Sequence, residues 1–105
     1  MSAFCMMAGT VMSSLGLVEL QRMICEQGIE CRIEGDELCL DGAARINFRP
    51  AFDHEYLLVG EAPDEADLTA DCRRLSSLLQ LHGLQHAYEL YARDNALIGE
   101  FEFIP

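Results

Sequence analysis

Five cysteines (Cys5, Cys25, Cys31, Cys39, Cys72) and three histidines (His54, His82, His86) are the side chains best able to do chemistry here. A thiol nucleophile needs a base beside it. These eight residues allow many pairs, but none lies in the local context that marks a cysteine nucleophile. No two cysteines form a C-x-x-C pair. His82 and His86 have the i, i+4 spacing of a metal-ligand pair, yet Gly83 between them is a helix stop that puts the rings on different elements. No metal or other cofactor is therefore expected, and His82 is read as bordering the core at a helix C-terminus, where partial positive charge is favoured.

An odd number of cysteines, each within or beside an apolar pattern, reads as reduced thiols packed as small hydrophobes in a cytoplasmic protein. Periodicity turns Cys25, Cys31 and Cys72 toward the core. Cys39, between Leu38 and Leu40, falls on the wet side of its strand and is expected to be the most exposed thiol.

The carboxylates are numerous without being catalytic in pattern. Asp36, Glu37 and Asp41 lack the alternating ligand spacing of a calcium loop. Glu61, Asp64, Glu65, Asp67 and Asp71 cluster around a helix start; capping and the helix dipole account for Asp64, Glu65 and Asp67. Glu61 and Asp71 exceed that account. No phosphate-cradling loop or dinucleotide fingerprint is present.

Eighteen acidic residues oppose seven basic ones, all arginine, for a net charge of −11. That surface repels nucleic-acid phosphates and anionic lipid, so direct binding to nucleic acid or membrane is not expected, whereas a basic protein partner is. The absence of lysine suggests a GC-rich bacterial coding background. The apolar N-terminal stretch has no basic residue before Arg22, unlike a signal peptide, and no apolar run reaches a membrane-spanning length.

The elements that must position these residues follow from periodicity. Ser14 to about Gln27 repeats Leu17, Leu20 and Ile24 at helical spacing, with Ser13 or Ser14 as cap and Gly28 as stop. Residues 1–12 extend this helix or lie loosely on a neighbour. From Ile29 the period becomes two: Ile29–Glu34, Leu38–Leu40 and Arg45–Arg49 read as a three-stranded meander, turning at Gly35 and at a type I′ Asp41-Gly42. Tyr56, Leu57, Leu58 and Val59 are apolar in succession, as in a strand covered on both faces or in an intermolecular contact. Gly60–Pro63 connects to a helix from Asp64 to His82, capped by Asp64 and stopped at Gly83. His86–Ala92 and Leu97–Ile104 close the chain as a hairpin.

The expected fold is one acidic α+β domain over residues 1–105. It is a two-layer sandwich with an antiparallel sheet of five to six strands and both helices on one face. Its order resembles the small acidic chaperones of bacterial type III secretion, which are dimers with a helix, a three-stranded meander, a helix and a hairpin. That resemblance implies a chaperone-like homodimer.

Enzymatic function has no positive support. The leading expectation is a non-enzymatic acidic adaptor or chaperone acting through an apolar surface with an acidic rim. The alternatives are an acidic mimic or immunity-type inhibitor of a basic protein such as a nuclease, and an enzyme of unknown reaction. Candidate partner-binding residues are Tyr56, Leu57, Leu58, Val59, Glu61, Asp71, Glu100 and Glu102.

Overall fold

Alternation of side chains across a strand decides most of this architecture. In the computed structural model, which describes residues 3–105, the chain runs β1 (Cys5–Met12), α1 (Leu17–Glu26), β2 (Cys31–Glu34), β3 (Glu37–Asp41), β4 (Arg45–Pro50), β5 (Glu55–Ala62), α2 (Glu65–Leu81), β6 (His86–Tyr91) and β7 (Leu97–Phe103). The seven strands form one antiparallel sheet in the spatial order β2-β3-β4-β5-β1-β6-β7. Both helices pack on the same face: α1 over β2 and β3, α2 over β1, β5, β6 and β7. This is the α+β two-layer arrangement that the element order predicts, with seven strands instead of five or six.

The extra strand is β1. Residues 5–12 neither extend the first helix nor lie loosely; they form a central strand, while residues 1 and 2 lie outside the described residues. Cys5, Met7 and Val11 point into the core, and Met6, Ala8 and Met12 point away. Both sets are mostly apolar, so the period of two is invisible in hydropathy. The consequence for topology is large. β1 separates the β2–β5 meander from the β6–β7 hairpin, pairing with β5 and β6, so pairing is not sequential throughout. Gly9 allows the close β1–β6 approach, because a Cβ there would overlap the Ala87 carbonyl and the Tyr88 backbone.

β5 also differs from expectation. It continues through Gly60–Ala62 instead of ending in a connector, and its burial alternates: Tyr56, Leu58, Gly60 and Ala62 are buried, Leu57 is exposed, and Val59 and Glu61 are half-buried. The strand is thus covered on one face only.

The α2 termini match their sequence signals. Asp64 Oδ1 accepts from the Ala66 N–H at 2.7 Å. Gly83 at φ +70° lets Leu84 N–H reach the Leu79 carbonyl at 2.9 Å and its own N–H reach the Gln80 carbonyl at 3.0 Å, a Schellman closure. The α1 start is corrected to Gly16 as N-cap, with no side-chain cap. Ser13 Oγ accepts from the Leu15 N–H instead, in the turn before the helix.

Gly42 is corrected too. Asp41 pairs with Arg45 across a three-residue loop, and Gly42 is not left-handed. A Cβ at Gly42 would stand 2.7 Å from Asp71 Oδ2, which accepts the Ala44 N–H at 2.8 Å.

Between the layers lies a core of Leu20, Ile24, Leu38, Ile46, Phe48, Leu58, Leu68, Leu75, Leu79, Tyr88 and Leu90, all at most 2% exposed. No described helix is long and apolar enough to cross a membrane.

Candidate protein-binding face

Three of the residues best able to do chemistry, His86, Cys5 and Cys72, are absorbed by the covered side of the sheet. His86 is 2% exposed; its Nδ1 lies 2.9 Å from the Leu84 carbonyl and its Nε2 2.7 Å from Ser76 Oγ. A carbonyl can only accept, so Nδ1 carries the proton and Nε2 accepts from the serine hydroxyl. The imidazole also stacks on Tyr88 and leans on Phe103. A serine and an imidazole at this distance form a nucleophile–base pair only where a substrate can enter, and Ser76 is itself buried. His82 is exposed at the C-cap of α2, on a different element from His86. Among the described residues no three His, Cys, Asp or Glu side chains group as a metal site.

The thiols distribute differently from their periodicity. Cys5, Cys39 and Cys72 are buried, Cys31 is intermediate and Cys25 is exposed. Cys39 does point to the outer side of β3, but its neighbours cover it to 6% exposure. Burial, then the Glu34 charge, pushes its thiol up from the ordinary range. Cys25 is therefore the most exposed thiol, because α1 turns it past the edge of its apolar stripe.

The opposite face of the sheet has no helix over it. Its centre is mostly apolar: Val59 of β5 lies opposite Ala8 of β1 and Leu57 opposite Thr10, with Met6 and Met12 diagonal to these pairs and Ala87 of β6 beyond Thr10. Leu57, Met6 and Met12 are 43%, 45% and 38% exposed and, with Thr10 among them, form a largely apolar strip of the kind that marks an interaction site.

Two charged flanks border this strip. On β2–β4, Arg32 pairs with Glu34 at 2.8 Å and with Asp41, and Arg49 pairs with Glu37 at 2.8 Å. Arg45 stands across from Glu61 in the β4–β5 register. Arg32 holds the Asp41 carboxyl below its usual range. Arg32, Glu34, Asp41, Arg45, Arg49 and Glu61 line an open groove of about 630 Å³ that reaches Met6 and Val59. On β6–β7 the pattern is opposite. Glu89 and Glu100 are directly paired in register, Glu102 is the next outward residue, and neither strand carries an arginine. Like charges directly opposite destabilise a sheet. The Tyr91 hydroxyl donates to Glu89, and this bond, reinforced by the Glu100 charge, raises the phenol's pKa.

Of the eight candidate residues, Leu57, Val59, Glu61, Glu100 and Glu102 thus share the open face. Tyr56 and Leu58 lie in the core, where the Tyr56 hydroxyl donates to the Leu15 carbonyl at 2.7 Å. Asp71 clamps the β3–β4 loop from the helix side. Arg32, Arg45, Arg49 and Glu89 were not singled out by the sequence; strand alternation, followed across all seven strands, would have found them. No protein-family model matches the chain, and neither a curated protein nor a solved structure matches it.

Proposed function

We propose that this chain is a non-enzymatic protein-binding domain, an adaptor or chaperone of the cytoplasm, whose open sheet face takes a second copy of itself. The observation that carries the reading is the uncovered, largely apolar strip of β5 and β1. Seven strands at about 4.8 Å spacing and about 20 Å of strand length offer on the order of 700 Å². That is close to the roughly 800 Å² per partner of a stable interface.

The charge pattern is compatible with the same occupant. A two-fold axis along β5 sets the charge-balanced β2–β4 flank of one copy over the carboxylate flank of the other, in a reciprocal, isologous arrangement. It also keeps the two Glu89–Glu100 flanks apart.

Light scattering on the full chain tests this. The expected mass is twice 11.7 kDa, and Leu57→Glu should return it to the single-chain value with the circular dichroism spectrum unchanged. A wild-type chain that stays single at about 100 μM would overturn the dimer.

A second reading, binding of a basic protein, rests on the opposed Glu89 and Glu100. It expects affinity for such a partner to fall at least tenfold between low and high salt, since exposed charges are screened. Salt-insensitive binding would count against it.

A further inference from the structure

Cys25 lies in the last turn of α1 and Cys31 opens the edge strand β2, and their Sγ atoms are 3.0 Å apart. Cys31 Sγ also lies 3.6 Å from the Gln21 carbonyl, and the Gln21 side-chain amide reaches back to the Cys31 carbonyl at 3.4 Å. The half-buried thiol is therefore held in place from the helix side. Its partner is open to solvent, as a reactive cysteine must be.

The two sulfurs are also chemically unequal. Burial first, then the contact with Cys25 and the Asp41 charge, pushes the Cys31 thiol up to about 12. Cys31 keeps its proton, which its thiol donates to the Gln21 carbonyl, and Cys25, open to solvent, is the sulfur placed to attack. The remaining thiols, Cys5, Cys39 and Cys72, are buried and far less accessible to a reagent.

We propose that Cys25 and Cys31 form a reversible dithiol–disulfide couple that exchanges with low-molecular-weight disulfides of the glutathione class. The Cys25 thiolate attacks one sulfur of the small disulfide, forms a mixed disulfide and releases the first small thiol. The Cys31 sulfur then attacks Cys25, its proton leaving with the second small thiol. Two protein thiols are oxidised to one disulfide, and one small disulfide is reduced to two thiols. The bond fastens the C-terminal end of α1 to β2, the strand that carries Arg32 and Glu34 on the open face. This couple is independent of what that face binds.

The test equilibrates the full chain in glutathione buffers of increasing oxidised fraction, quenches with acid, and alkylates in denaturant before intact mass and peptide mapping. Two of the five thiols should be lost together, in one disulfide joining Cys25 to Cys31. Cys25→Ser and Cys31→Ser should each abolish that disulfide, and Cys39→Ser should leave it unchanged. Retention of all five thiols in buffer that is mostly oxidised glutathione would overturn the proposal. So would a product stopped at the Cys25 mixed disulfide, or one linking any other pair.

Discussion

Leu57 and Leu58 are neighbours in sequence, yet they live on two different surfaces. Leu58 is fully buried between sheet and helices, whereas Leu57 is 43% exposed on the uncovered side. The same contrast extends to polar groups. On the covered face each finds a partner: Tyr88 donates to the Cys72 carbonyl, Tyr56 to that of Leu15, and Ser76 to His86. No buried side-chain nitrogen or oxygen among the described residues lacks a hydrogen bond. On the open face Glu89 stands against Glu100, a local cost that nothing on β6 or β7 offsets with a positive charge. One face satisfies the rules of folding, and the other departs from them where a function is sought.

The largest test of this contrast is the leucine pair. Leu58→Ala should cost about 2–5 kcal/mol in denaturant unfolding, from lost burial and the cavity left behind. Leu57→Ala should cost about 0.5 kcal/mol or less under dilute conditions, as an ordinary surface change does. Equal losses would mean that the two faces are not distinct.

Ser76→Ala probes the paired polar groups. It leaves the His86 imidazole buried with one nitrogen unsatisfied, and the same unfolding measurement should fall by about 1–3 kcal/mol. A change near zero would show that the pair contributes little to the fold.

The smallest effect has the opposite sign. Glu100→Gln removes one of two facing charges, so the chain should gain about 0.2–1 kcal/mol, and more at low than at high salt. A loss of stability would show that Glu100 is satisfied within the chain.

Much of the covered side was legible from sequence because its elements alternate apolar with polar residues or end on recognisable stops. Asp64, Gly83 and the alternation through Ile46 and Phe48 each named their element correctly. The N-terminal strand was not legible. Met6, Ala8 and Met12 are apolar where a half-exposed strand ordinarily shows polar residues, so no period of two could be read. The open face was then only half visible: Leu57, Val59, Glu61, Glu100 and Glu102 could be suspected, but not joined into one surface without β1 between β5 and β6. Asp71 looked surplus because its partner, the Ala44 N–H, comes from a loop far away in the chain.

The insertion of β1 also sets a timetable for assembly. Met12 must wait for Glu55 to find its first neighbour, and Met6 for Tyr91 to find its second. A nascent chain emerging from the ribosome can zip the β2–β5 meander early, but the earliest-made strand is among the last to be enclosed on both sides. Such distant pairings slow the search for the native state. Until they form, the thioether-rich segment around Met6 and Met7 remains available to whatever binds newly made chains.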